Sequence, residues 1–274
     1  MTSGRPDEDP QPSDEDLRAA LEKAAVAPTL LVASDFDGAL AEFTVDPDAS
    51  SPAPGAMEAL RGLAALPDTY VAVASGRDVR TLRDLTGVGS AESITLIGSH
   101  GAEATRPGVA TEGRLDDDQR ALLDELTAQV AELIDRHPGA RLERKRAAVA
   151  LHTRGLPAAD AEVALREAVA LGRDRRDVRM LEGKSVVELS VSHADKGRAI
   201  SALAREVGSD AVFYSGDDVT DEDAFQALDA EVGDVPVKVG RGPTHAAYRV
   251  GSVTDVVETL RQLRELRVQA TGES

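Results

Sequence analysis

Thr29-Leu30-Leu31-Val32-Ala33-Ser34-Asp35-Phe36-Asp37-Gly38-Ala39 runs from a short apolar segment straight into a turn that carries two acids. The apolar part, 29–34, is too short for a helix and reads as a strand. Two acids spaced by two, with Gly38 behind them, suit a tight turn that aims both carboxylates into one crevice. Taken alone, Asp-x-Asp-Gly is equally a plain turn or a calcium loop. A calcium loop of that kind normally follows a helix, whereas this segment follows a strand. Similar strand-length runs recur at 70–74, 94–97, 212–214 and 237–239, and helical patterns fall at 55–66, 78–85, 196–207 and 222–228. Such alternation predicts an α/β fold, a parallel sheet with helices on both faces.

The interval 106–182 breaks that rhythm. Asp116, Asp117 and Asp118 stand where negative charge favours a helix N-terminus. Leu122, Leu123, Leu126, Val130, Leu133 and Ile134 follow at helical spacing, and His137-Pro138-Gly139 ends the run. Strand-like runs at 141–145 and 147–153, a helix at 158–170, and strand-like runs at 178–181 and 185–191 come next. This order predicts a smaller α+β unit with an antiparallel sheet, inserted as a cap. The expected domains are an acidic, disordered tail at 1–15, a core at 16–105 and 183–268, and the cap at 106–182. A first helix is expected at 16–27, with Leu17, Leu21 and Ala24 on one side.

Composition narrows the possible partners. A chain of 274 residues is long enough for a core domain carrying a smaller insertion. Its net charge of −18 repels nucleic acid phosphates and anionic lipid, so neither nucleic acid nor membrane is an expected partner. Apolar stretches of strand length only argue against a membrane span or secretory signal. Cysteine is absent, which excludes disulfides and thiolate metal sites and fits a cytoplasmic monomer. With three Tyr and four Phe, the core must rest on Leu, Val, Ile and Ala.

Three further segments carry chemistry, each at the end of a predicted strand or at a helix start. Ser75-Gly76-Arg77 offers a hydroxyl and backbone N–H groups at a helix N-terminus, an arrangement that suits an anion as well as an ordinary capped turn. In Asp195-Lys196-Gly197 the acid can cap a helix, while Lys196 opposes the helix dipole and can reach a phosphate. Gly216-Asp217-Asp218-Val219-Thr220-Asp221-Glu222-Asp223 concentrates five acids, an unfavourable cluster unless a cation offsets it. Hard oxygen ligands without cysteine point to magnesium. An acidic helix N-terminus capped by Thr220 would explain Asp221, Glu222 and Asp223, but it leaves Asp217 and Asp218 over. The spacing fits one plan. Asp35 to Ser75 holds a helix and a strand, Lys196 to Asp217 does the same, and Ser75 to Lys196 is too long without the cap.

Together these four segments resemble the motifs of the haloacid dehalogenase superfamily. Within it, Gly216 to Phe225 is similar to the signature of trehalose-6-phosphate phosphatases. So are Gly98-Ser99-His100-Gly101-Ala102-Glu103, Glu143-Arg144-Lys145, His152-Thr153-Arg154 and Gly183-Lys184-Ser185-Val186-Val187-Glu188. The resemblance spans roughly 31–239. It implies a Rossmann-like core with a mobile cap, and hydrolysis of trehalose 6-phosphate, a small sugar phosphate, as the final step of trehalose synthesis. It also implies Asp35 as nucleophile and Asp37 as acid and base, with Ser75, Gly76 and Lys196 on the phosphate. Magnesium would be held by Asp35, the Asp37 carbonyl and Asp217, with Asp218 or Asp221 acting directly or through water. Arg77, Glu143, Lys145, Arg154, Lys184 and Glu188 would meet substrate, while His100 and His152 are expected to be structural. Ala39 departs from the family, where threonine usually stands, and reduced turnover is the expected result. The alternatives are a phosphatase for sucrose phosphate or mannosyl-phosphoglycerate, or a low-activity protein that binds phosphosugars.

Overall fold

The computed structural model describes residues 13–44, 50–110, 115–175, 177–183, 185–191 and 194–272. The chain forms two compact units, Met1–Thr111 with Asp195–Ser274, and Glu112–Ala194. The larger unit opens with α1 (Asp14–Ala25), β1 (Leu30–Asp35), α2 (Ala56–Ala64), β2 (Thr69–Ala74), α3 (Val79–Thr86), β3 (Ile94–Gly98) and β4 (Glu103–Ala104). The smaller unit holds α4 (Asp117–Arg136), β5 (Arg141–Arg144), β6 (Ala148–His152), α5 (Ala158–Gly172), β7 (Arg179–Gly183) and β8 (Val186–Ser190). The larger one then resumes with α6 (Lys196–Val207), β9 (Ala211–Gly216), α7 (Glu222–Gln226), β10 (Val235–Val239), β11 (Tyr248–Val250) and α8 (Val253–Thr271).

In the larger unit the strands lie in the order β11-β10-β9-β1-β2-β3-β4, parallel except for the short β3–β4 pair. Strand alternation divides two apolar layers. Leu30, Val32, Val71, Val73 and Phe213 face a cluster shared with α1, α2, α3 and α8. Leu31, Ala33, Ala72, Ala74, Val212 and Tyr214 face another, shared with α6 and α7. Burial on both faces is why β1 reads as one unbroken apolar run. In the smaller unit an antiparallel sheet, β5-β6-β8-β7, packs through Leu142, Val149, Leu151, Val187 and Leu189 against α4 and α5.

Four features depart from expectation. The inserted unit runs Glu112–Ala194 rather than 106–182: at its end β8 lies between β6 and β7 and cannot belong to the parallel sheet. The first helix begins at Asp14 rather than 16: Ser13 and Asp16 form a reciprocal capping box. Of the expected tail, 1–12 lies outside the described residues, while 13–15 are cap and helix. Helix α8 was not foreseen, although it buries Val256, Val257, Leu260 and Leu263.

One side chain of α8 fixes the entrance to the central strands. The Arg267 guanidinium is 3% exposed. It donates to the carbonyls of Ala25, Ala27, Pro28, Pro67 and Asp68 and to Thr69 Oγ1. These groups lie on the segments entering β1 and β2 and need partners once buried. Arg267→Ala is expected to lower the unfolding free energy by about 3 kcal/mol in urea titrations, because several carbonyls lose their donor together.

Candidate active site

Parallel strands bring their C-terminal ends to one edge of the sheet, and the sequence places acids there. Asp35 ends β1 opposite Ala74 of β2, while Ser34 pairs with Ser215 of β9. The turns carry the ladder onward, with Phe36 N–H donating to Ala74 O at 3.0 Å and Ser75 N–H to Ile97 O at 2.9 Å. The three loops that follow β1, β2 and β9 therefore converge, and α6 delivers Lys196 to them.

Lys196 joins two of these loops. It is 2% exposed, and its Nζ donates to Asp35 Oδ1 at 2.7 Å and to Asp221 Oδ1 at 2.8 Å. Asp195 caps α6 by accepting from Arg198 N–H, as its position suggested. Asp221 is the organiser of its loop. Its Oδ1 also accepts from Tyr214 OH at 2.7 Å, and its Oδ2 accepts from the N–H groups of Asp217 and Asp218 at 2.8 and 3.0 Å. Two glycines make this closeness possible. A Cβ on Gly216 would stand 2.2 Å from Asp221 Cγ, and one on Gly38, where φ is +89°, would stand 2.2 Å from Asp217 Cγ.

Negative charge exceeds positive charge here. Ligand oxygens of Asp35, Asp217 and Asp221 lie within 4.8 Å of one another. Burial raises the Asp35 carboxyl well above the usual range against the pull of Lys196. Burial alone would lower the Lys196 ammonium, but Asp221 and Asp35 outweigh it and hold it well above its ordinary value. Burial, with Asp218 and Asp221 nearby, pushes Asp217 up to about 7. Burial also works against charge on Asp218, yet Lys196 and the Thr220 donors hold that carboxyl down at about 2. Asp217 Oδ1 is buried without a hydrogen-bond partner. Surplus carboxylate, hard oxygen donors and that orphaned atom fit a divalent cation. Both Asp221 oxygens already accept twice, and Asp218 Oδ1 accepts from Thr220 N–H and Oγ1. Asp217 keeps Oδ1 unpartnered, and Asp35 and Asp218 each take their side-chain contacts on Oδ1, so these three acids have an oxygen left to offer.

Asp37 stands apart from this cluster. Arg77 forks onto it, Nε to Oδ2 at 2.8 Å and Nη2 to Oδ1 at 2.7 Å. Ser75 and Ser50 hydroxyls lie at 3.5 and 3.4 Å from the same carboxylate. Arg77, expected on substrate, is thus engaged with the second acid. Ala39 packs in the apolar cluster with Phe36 and Leu40, and Asp37 takes its support from these other residues. His100 leans over Gly76, where a Cβ would come within 2.6 Å of the ring, and the His100 backbone N–H donates to Ser75 O. The histidine loop therefore buttresses the Ser75 turn.

The remaining candidates belong to the smaller unit. Glu143, Ala150 and Glu188 occupy one row across β5, β6 and β8, on the face opposite the apolar cluster. Lys145 Nζ pairs with Glu188 at 2.5 Å, and His152 Nε2 meets Glu143 at 2.8 Å, a structural use of that histidine. Arg154 is exposed, and Lys184 lies outside the described residues. Sequence reasoning missed Ser50, Tyr214 and Lys238. Lys238 had a signal, since it is the one charge in the strand Val235-Pro236-Val237-Lys238-Val239. Ser50 had none.

Comparison with known proteins identifies the family. Residues 33–253 match the family model described as trehalose-phosphatase. A trehalose-phosphate phosphatase of Mycobacterium tuberculosis is 35% identical over 254 residues, covering 86% of this chain and 63% of the relative. The chain thus spans about three fifths of that relative's length. A solved trehalose-6-phosphate phosphatase from Aspergillus fumigatus matches with a TM-score of 0.64 at 27% identity, covering 90% of this chain and 97% of the other. The C-terminal domain of a Candida albicans trehalose-6-phosphate phosphatase shares the fold, with a TM-score of 0.75 at 22% identity over 91% of this chain and 97% of that one. With the family's model matched from within β1 to the start of α8, the chain belongs to the trehalose-phosphatase family.

Proposed function

We propose that the chain is a magnesium-dependent phosphatase that releases phosphate from trehalose 6-phosphate. The observation that carries this is Lys196, buried between Asp35 and Asp221, with the unpartnered Asp217 oxygen beside it. Asp35 attacks phosphorus in line. A P–O bond to Asp35 forms as the bond to the sugar oxygen breaks, and Asp37 gives that oxygen its proton. Asp37 then takes a proton from water, whose oxygen displaces Asp35 from phosphorus and frees phosphate. Ser75, Gly76 and Lys196 hold the phosphoryl oxygens throughout. Asp35, the Asp37 carbonyl and Asp217 would hold the magnesium, which supplies the positive charge that lets a carboxylate approach a phosphate anion.

Substrate choice is assigned to the smaller unit, where Lys145, Glu188 and Glu143 offer charged donors and acceptors to sugar hydroxyls. Arg154 and Lys184 join them on the strength of the family motifs. The molecule is proposed to work in the cytoplasm as a monomer, and no helix among the described residues is long and apolar enough to cross a membrane.

Asp35→Asn should lower magnesium-dependent phosphate release by at least about a thousandfold, since the amide offers no carboxylate to take the phosphoryl. The assay should compare trehalose 6-phosphate with sucrose phosphate and mannosyl-phosphoglycerate. Preference for another sugar phosphate would replace the substrate assignment, and a wild type as inert as the variant would make the chain a binder.

Magnesium loading should also release a proton near neutral pH. Asp217 titrates at about 7, so below that pH the cation must displace a proton. Apparent affinity is expected to fall by about tenfold per pH unit below 7. Calorimetry in two buffers of different ionisation enthalpy measures the proton count, and a count of zero at pH 6 would remove Asp217 from the ligand set.

A further inference from the structure

Lys238 is a buried cation that no step above uses. It sits on β10 beside Gly216 of β9 in the register of the sheet and is 4% exposed. Val235, Val237 and Val239 face the apolar cluster with α1 and α8, so alternation turns Lys238 to the opposite face, that of Tyr214. An ammonium in such a strand is costly to bury unless its position repays that cost. Its Nζ donates to the backbone carbonyl of Asp217.

The consequence lies in what this leaves Asp217. Its N–H is held by Asp221 Oδ2 and its carbonyl by Lys238, so side chains from two directions clamp both of its main-chain groups. Its carboxylate lies against Gly38 with Oδ1 unpartnered. We propose that Lys238 is a positioning residue that clamps the Asp217 peptide so that this carboxylate is presented to a divalent cation. The proposal rests on reading the acid cluster as a cation site. It sets geometry against charge, because a second cation near the site would by itself repel a metal. Orientation wins if the clamp matters, as removal of outer contacts to metal ligands commonly costs ten- to a hundredfold in affinity.

The test is Mn2+ binding to the full chain, followed by calorimetry and by electron paramagnetic resonance, for wild type and for Lys238→Met, which keeps the apolar stem and removes the donor. The expected result is about tenfold weaker binding in Lys238→Met with folding intact by circular dichroism. The KM for the phosphoester at saturating metal should stay unchanged. Equal or tighter binding in Lys238→Met overturns the inference, while a wild type that binds no Mn2+ removes the cation reading and the inference with it. Should Lys238→Met fail to fold, wild-type lysine side-chain nitrogen resonances decide. The Lys238 signal, assigned by its loss in Lys238→Arg, must move on adding Mg2+, and an unmoved signal refutes the clamp.

Discussion

The site depends on one ammonium buried between two carboxylates. Each contact of Lys196 with Asp35 and Asp221 is worth roughly 4 kcal/mol at an effective dielectric of 20. Burying each ion costs several kcal/mol. The arrangement therefore comes close to break-even and is not a source of stability. Its effect is positional: three segments far apart in the chain are brought to hydrogen-bond distance around Nζ. Asp221, which also accepts from Tyr214 and from two backbone N–H groups, converts the loop after β9 into a rigid shelf.

That rigidity has an electrostatic cost which the protein alone does not meet. Asp35, Asp217, Asp218 and Asp221 outnumber Lys196 and Lys238, and the Asp217 carboxyl is raised by its burial first and by Asp218 and Asp221 beside it second. Glycine at 38 and 216 lets the acidic loops touch where any side chain would hold them apart. Like charges held this close, with one carboxylate oxygen left unpartnered, fit a bound positive ion better than a site tuned for stability alone.

The motifs on the parallel sheet were legible because their position follows from topology. An apolar run followed by Asp-x-Asp-Gly puts acids at a strand's C-terminal end, and parallel strands put every such end on one edge. The two-helix, four-strand order of the smaller unit was legible from periodicity, but its end was not. The strand Val186–Ser190 reads as part of the antiparallel unit, yet the expected boundary at 182 cuts it off; its pairing with both β6 and β7 puts it inside. The pairing of Arg77 was hidden for a related reason. A sequence shows that an arginine is near the site, but not that its fork is already filled by Asp37. Lys238 and Tyr214 act through atoms that no local pattern announces, a hydrogen bond to a carbonyl and one to an acid seven residues on.

The alanine at 39 shows how such a departure is absorbed. A threonine hydroxyl offers one donor on a rotatable bond. Here Asp37 receives two guanidinium donors in a planar fork, with Ser50 and Ser75 on its flanks. A bidentate pair fixes the carboxylate plane as well as its distance, which a single hydroxyl does not. The residue at 39 is then left to pack with Phe36 and Leu40, where a small apolar side chain suits the core. The second acid is thus held by Arg77 and Ser75 from the turn after β2 and by Ser50, while its own turn contributes an apolar residue to the core.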